Sequence, residues 1–157
     1  MEKYQNILVV IDPTTHEQKA LKRAIELAVH TKAVITAFVS IFDFSYEMTT
    51  MLSSEEREVM RKSVINDREI WLDDVISGME THGLTIKHKV IWHNRPFEAI
   101  IEQVMQEKHD IVIKGTHQHD KLKSVIFTPT DWHLLRKCPS PVLLVKDHLW
   151  PENGNIL

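Results

Sequence analysis

The chain has 157 residues, of which 43% are hydrophobic and 26% charged, the balance of one globular domain rather than of a disordered protein. Its net charge of −3, with both signs interspersed, argues against direct nucleic-acid binding. No apolar run reaches about 18 residues, so we expect no membrane span, and the first residues lack the pattern of a secretory signal. A single cysteine, Cys138, excludes an internal disulfide, and we expect a cytoplasmic protein.

Five short apolar segments rich in β-branched residues punctuate the chain. The first of them, residues 7–11, is a continuous apolar run, which is typical of a strand buried on both faces of a parallel sheet. The five segments predict strands over residues 7–11, 33–41, 86–92, 110–115 and 142–145.

Helical periodicity fills the intervals between these segments. Apolar residues at i, i+3, i+4 and i+7 predict a helix over about residues 15–31 and a longer one from a capping box at Ser53 to about Thr81, ended by Gly83. A third helix begins at Pro96, with Asn94 as its cap.

Residues 128–131 have the pattern of a helix start. Thr128 is the expected N-cap of a short fourth helix, Pro129 occupies its first position, and Asp131 lies in its first turn.

Alternating strands and helices predict an α/β fold with three layers, helices on both faces of a parallel sheet. We expect five strands in the order 3-2-1-4-5, as in flavodoxin-like proteins. Ligands of such sheets bind beyond the carboxyl ends of the strands, where the winding reverses. The residues at that rim are Asp12, Phe42, Asp43, His93, Asn94, Gly115 with the residues after it, and Lys146.

The end of the chain repeats its beginning. Residues 155–157 (Asn-Ile-Leu) match residues 6–8, and the linker-like residues 150–154 precede them. We therefore expect residues 1–149 to form one domain, and residues 150–157 to be a linker and the start of a second, similar domain that this chain does not contain.

Three features together resemble the universal stress protein family: Asp12 closing the first strand, Gly115-Thr116-His117 after the fourth, and the Pro-x-Pro-Val-Leu-Leu-Val segment at residues 139–145. Longer stretches, residues 43–50, 92–101 and 125–141, resemble the N-terminal half of a tandem-domain member. The resemblance implies a Rossmann-like fold of the adenine nucleotide alpha hydrolase type.

The nucleotide-binding branch of that family has the motif Gly-x2-Gly-x9-Gly-(Ser/Thr) after the fourth strand. The matching positions here are Gly115, Gln118, Thr128 and Pro129, so only the first is kept. Gln118 adds a side chain where glycine lets backbone approach phosphate, and Pro129 removes an amide donor from the helix start. Asp131 adds a negative charge in the same turn. We therefore expect no ATP and no other cofactor.

The resemblance also implies where a ligand would lie. Asp12 and the backbone near Val39 stand where the family holds base and ribose. The candidate ligand rim is Asp12, Val39, Gly115, His117, Thr128 and Thr130.

The implied function is a non-catalytic, cytoplasmic stress-response domain, induced under growth arrest or DNA damage and acting by binding a small ligand or a partner. The alternative is an ATP-binding domain with weak hydrolase or switch activity that uses Asp12, Gly115 and Thr128.

Asp12 has two interpretations, as a hydrogen-bond acceptor for a ligand or as the cap of the following helix. Residues 117–120 (His-Gln-His-Asp), with His93 and Asp12, could ligate a metal, but the spacing offers no defensible third ligand, so we expect a polar loop and no metal.

The loop of residues 116–127 carries apolar side chains at Leu122, Val125, Ile126 and Phe127 that could dock on a partner. The expected partner is a second domain of the same type or a second copy of the chain. We expect Trp132 and Leu135 to pack the short helix on the sheet. Cys138 is expected to be structural, with its pKa raised by the helix end.

Overall fold

The computed structural model describes residues 4–45, 51–119 and 124–146, and these contain a five-stranded sheet flanked by helices. The elements in chain order are β1 (Asn6–Val10), α1 (Lys19–Ala28), β2 (Val34–Ile41), α2 (Ser54–Ser77), β3 (Ile86–Trp92), α3 (Pro96–Glu107), β4 (Ile111–Gly115), β5 (His117–His119), β6 (Ser124–Ile126), α4 (Pro129–Lys137) and β7 (Val142–Val145).

The five-stranded sheet is parallel throughout, in the order β3-β2-β1-β4-β7. Since β7 is the fifth strand of this sheet, the predicted fold and the order 3-2-1-4-5 are confirmed. β1 lies in the centre, where Val9 stands opposite Ala37 of β2 and Ile113 of β4.

Side chains of β1 point alternately to two separate apolar cores. Ile7 and Val9 pack with α1 and α2 on one face, and Leu8 packs with α3 and α4 on the other. All three side chains are buried. This burial on both faces explains why β1 is a continuous apolar run instead of an alternating one.

Two helices are shorter than predicted. α1 begins at Lys19, four residues later than expected, because the Gln18 side chain holds residues 12–15 in a turn by hydrogen bonds to Asp12 and Thr15. α2 ends at Ser77. Gly83 lies beyond it, in the turn before β3, where its φ of +75° suits glycine.

The capping predictions have mixed outcomes. Ser53 caps α2 by accepting a hydrogen bond from the Glu56 amide at 3.1 Å, as predicted. Asn94 is not the cap of α3: Arg95 holds that position, and its amide donates to Nδ1 of His93.

The stretch after β4 contains more regular structure than a loop. β5 and β6 form an antiparallel pair in which His117 stands opposite Ile126 and Gln118 opposite Val125. The sequence missed this pair because each strand has only three residues. Residues 120–123, which include Leu122, lie outside the described residues, as do residues 147–157 with the expected linker.

Candidate ligand-binding cleft

A cleft of about 570 Å³ opens at the carboxyl ends of β1, β2 and β4. Its apolar lining includes Phe38 and Ile100, both of which also belong to the core beneath α3. Its wall includes all six residues of the candidate ligand rim (Asp12, Val39, Gly115, His117, Thr128 and Thr130), whereas Phe42, Asp43, His93, Asn94 and Lys146, which sequence also placed at the rim, are not among its described lining residues. The structure therefore gathers the candidate ligand rim around one cleft.

Asp12 lies two residues after the end of β1, with its carboxylate turned back onto the loop. Oδ1 accepts hydrogen bonds from the Thr14 amide at 2.9 Å and the Thr14 hydroxyl at 2.6 Å. Asp12 therefore closes a local turn and does not cap α1, whose N-cap is Gln18. Burial alone would raise the pKa of Asp12, but the two Thr14 hydrogen bonds and the charges of His117 and Lys114 hold it below the usual value.

Gln18 is a site residue that the sequence analysis missed. Its side chain is 5% exposed; Oε1 accepts from the Asp12 amide at 2.9 Å, and Nε2 donates to the carbonyls of Asp12 and Thr15 at 2.6 and 2.7 Å. It therefore fixes the loop that presents Asp12. The only sequence signal was a glutamine just before the apolar periodicity of α1.

Val39 and His117 contribute different groups to the cleft. Val39 is 2% exposed and its side chain belongs to the core, so mainly its backbone is available. His117 is exposed at the start of β5.

Two amides at the N-terminus of α4 form hydrogen bonds within the chain. Thr128 Oγ1 accepts from the Asp131 amide at 3.2 Å, and Asp131 Oδ2 accepts from the Thr128 amide at 2.8 Å. Pro129 has no amide hydrogen. The Thr128 and Asp131 amides, which could otherwise donate to an anion at this helix start, therefore donate within the capping box.

The expected repulsion by Asp131 needs correction. Its side chain is fully buried, and Oδ1 lies 2.7 Å from Nζ of Lys114. Its charge is thus paired beneath the cleft instead of projecting into it. Lys114, which lines the cleft, is a second residue that the sequence analysis did not single out.

Lys19 is the third missed residue. Its side chain passes over Gly115, and Nζ donates to the Thr116 carbonyl at 2.5 Å. Gly115 is therefore in contact with a side chain from α1, and not simply open toward the cleft.

Two of the suggested metal ligands, Asp12 and His117, line the cleft. His93 is absent from the described wall of the cleft; its Nδ1 accepts from the Arg95 amide and its Nε2 lies 3.7 Å from Glu102. Within residues 4–45, 51–119 and 124–146, no cluster of three His, Cys, Asp or Glu side chains suits a metal. Asp120 lies outside those residues.

A second cleft, about 540 Å³, adjoins the first at Pro13 and Ser40. Arg68 of α2 lies 4.8 Å from the Trp71 ring centre and donates to the Pro13 carbonyl at 3.3 Å. Asp43 lines this second cleft, and its Oδ1 accepts hydrogen bonds from Ser45.

Apolar side chains form an exposed patch on α4 and its neighbours. Trp132 and Leu135 are 50% and 48% exposed, so the prediction that they pack α4 on the sheet is wrong; Leu134 does so. The sequence misled because Trp132, Leu134 and Leu135 are all apolar and lie within four residues of one short helix, so that their apolar character alone does not show which of them faces the sheet. We define the apolar patch as Ile126, Phe127, Trp132, Leu135 and Leu143.

None of the helices within the described residues is long and apolar enough to cross a membrane.

Comparison with known proteins extends the description of fold and site. The chain is 56% identical to Universal stress protein E of Escherichia coli strain K12 over 157 residues, all of this chain and 50% of that protein. It therefore spans about half the length of this curated relative.

Two solved structures share the fold. Universal stress protein UspA from Lactobacillus plantarum superposes with a TM-score of 0.69 at 20% identity, covering 92% of this chain and 99% of that one. A universal stress protein family protein from Arabidopsis thaliana with AMP bound has a TM-score of 0.58 at 13% identity, covering 96% and 97%. The sequence model of the Universal stress protein family matches residues 3–146, nearly the whole described sheet and its helices. On this evidence the chain belongs to the universal stress protein family.

Proposed function

We propose that this chain is a non-catalytic stress-response domain that binds a small ligand in the cleft, or a partner protein, and that it does not hold a triphosphate. The observation that carries the proposal is the capping box of α4, in which the side chains of Thr128 and Asp131 each accept a hydrogen bond from the other residue's amide. A phosphate at this helix start would have to compete with hydrogen bonds already made within the chain.

The base end of the cleft supports a nucleoside-like ligand. Asp12 is held ionised and can accept hydrogen bonds from ligand hydroxyls, while the Val39 backbone and the Phe38 side chain line the neighbouring wall. The AMP-bound protein from Arabidopsis thaliana shows that a relative with this fold takes an adenine nucleotide. We therefore place the preferred ligand among adenosine-like compounds and not among polyphosphates.

Calorimetric titration of the chain with adenosine, AMP and ATP with magnesium tests this proposal. We expect adenosine to bind more tightly than ATP. A micromolar dissociation constant for ATP would overturn it. Asp12→Asn serves as the site variant and Asp43→Asn, from the neighbouring cleft, as the matched control; only the first should weaken adenosine binding.

A second candidate function is ATP binding with weak hydrolase or switch activity. It is favoured by one observation, that Asp12, Lys114, Gly115 and Thr128 line the same cleft. A turnover assay on the chain and on Asp12→Ala distinguishes the two: phosphate release that Asp12→Ala abolishes would support the second function, and release equal to a protein-free blank would reject it.

For the partner we propose a second domain of the same type, within a longer protein, or a second copy of the chain. The apolar patch supports this because the rings of Phe127 and Trp132 lie 5.4 Å apart on exposed side chains, and Leu143 of the edge strand β7 is exposed as well. Analytical ultracentrifugation of the chain and of Trp132→Ser tests it. We expect the wild-type chain to associate and Trp132→Ser to be monomeric. A wild-type chain that stays monomeric at all concentrations would reject association with a second copy.

The cellular role follows from the family and the relative. We propose a cytoplasmic protein that acts under growth arrest or DNA-damaging stress. A deletion strain complemented by the Asp12→Asn variant tests whether the cleft matters: survival equal to that of the wild-type complement would reject a role for ligand binding.

A further inference from the structure

The Lys19 side chain covers the cleft face of Gly115. A Cβ built on Gly115 would lie 2.9 Å from Cε and 3.4 Å from Cγ of Lys19, so the lysine methylenes rest directly on the glycine backbone. At the far end, Nζ donates to the Thr116 carbonyl at 2.5 Å. The side chain is thus held at both ends, by α1 at its Cα and by the residue after β4 at its ammonium group.

We propose that Lys19, in addition to the capping box of α4, determines the ligand class of this cleft by acting as an internal plug over Gly115 and Thr116. While it lies there, a phosphate group cannot reach the backbone of these residues. Asp12 and Val39 also line the cleft and are not among the residues that the Lys19 side chain covers. The inference rests on the proposed function and deepens it: the cleft takes uncharged, nucleoside-like molecules because this lysine excludes the phosphate tail.

A lysine ammonium can also attract anions, and Lys19 would then act as a clamp that binds a phosphate group. The charges around Lys19 decide whether it excludes phosphate, as a plug, or binds it, as a clamp. Lys19 and Lys114 line the cleft together with Asp12 and Glu17. Lys114 is paired with the buried Asp131. These five groups leave one excess negative charge, and the ammonium of Lys19 already donates to a carbonyl. The surroundings therefore offer a polyanion no net attraction, and the covering of the glycine dominates.

Three variants of the full chain separate these roles. Lys19→Ala removes stem and charge, Lys19→Met keeps the stem without the charge, and Lys22→Ala removes a charge from an exposed position of the same helix. In titrations with magnesium-ATP, a plug predicts that Lys19→Ala lowers the dissociation constant at least about tenfold, while the other two stay within about threefold of the wild type. A clamp predicts weaker binding in both Lys19 variants. Unchanged or weaker ATP binding in Lys19→Ala, including no binding at all, overturns the proposal.

Adenosine titrations keep this result separate from the proposed function. Adenosine affinity should be equal in the wild type and Lys19→Ala, since the proposed contacts of adenosine are with Asp12 and the Val39 backbone and not with Lys19. If adenosine fails to bind either protein, the proposed ligand class is rejected, while tightened ATP binding in Lys19→Ala still supports the plug.

The contact itself has an independent test in thermal unfolding. Gly115→Ala places a methyl group against the Lys19 stem, so it should lower Tm in the wild type and have little effect in the Lys19→Ala background, where the space is free. Equal losses in the two backgrounds would show that the stem does not lie on the glycine and would overturn the proposal.

Discussion

Lys114 and Asp131 form an ion pair beneath the cleft, with 2.7 Å between Nζ and Oδ1 and side chains 12% and 0% exposed. The pair joins β4 to the first turn of α4. Because Asp131 also accepts the Thr128 amide, one carboxylate holds both the helix start and the strand that leads to Gly115. The geometry of the helix start therefore depends on this pair.

Of the two residues in this pair, Lys114 should cause the larger loss of stability when it is replaced. Lys114→Met leaves the Asp131 carboxylate buried without its partner, and we expect the free energy of unfolding to fall by about 3 kcal/mol. The double variant Lys114→Met/Asp131→Asn should lose less than the sum of the single losses. Urea unfolding of the four proteins measures the coupling, and strictly additive losses would show that the two charges do not interact.

Gln18 should stabilise the loop that carries Asp12. Gln18→Ala leaves the Asp12 amide and two carbonyls without their side-chain partner, so we expect a loss of about 1–3 kcal/mol in unfolding free energy. Amide exchange at Asp12, Thr14 and Thr15 should rise more than exchange in β2.

Gln106→Ala, at an exposed position of α3, is the matched control for Gln18→Ala and should be close to neutral. Equal exchange at Asp12, Thr14 and Thr15 in the wild type and Gln18→Ala would contradict the assigned role.

The fold was predictable because its signals are local and strong. Continuous apolar runs mark β1, β2 and β4, and their burial on both faces follows from the parallel sheet. The predictions that failed are those of helix starts, where hydrogen bonds of a side chain override the apolar periodicity. Gln18 delays α1, and the amide of Arg95 bonds to His93, so that Asn94 is left outside the helix.

The site was predictable only in part. Topology places Asp12 and Gly115 at one rim and the family resemblance adds Thr128; in the structure these three residues line one cleft. Lys19, Gln18 and the Lys114–Asp131 pair were missed because each depends on contacts between residues distant in the chain, such as Lys19 with Thr116. No spacing rule within a single element carries that information.

Cys138 should react slowly in the native protein. Burial raises the pKa of its thiol, with a hydrogen bond to the Ser140 backbone acting in the opposite direction, so the direction expected from the sequence holds with burial as the cause. We expect modification by a disulfide reagent at pH 7.5 to be at least about tenfold slower in the native state than in urea. A native rate equal to that in urea would show an accessible thiolate and reject the structural assignment.

His109 should make the fold less stable in mild acid. Its imidazole is fully buried, with Nε2 3.0 Å from Nε2 of Gln103 and 3.6 Å from Glu107. Burial lowers the pKa of His109 below the ordinary value of 6.5, although Glu107 and Asp110 act in the opposite direction. The unfolded chain therefore binds the proton first as pH falls, so the stability contributed by the neutral ring is complete above pH 6.5 and declines below it. Urea unfolding at pH 7.5 and 5.5 measures this loss, which should be smaller in His109→Gln than in the wild type. A similar loss in both proteins would assign the pH dependence to other groups.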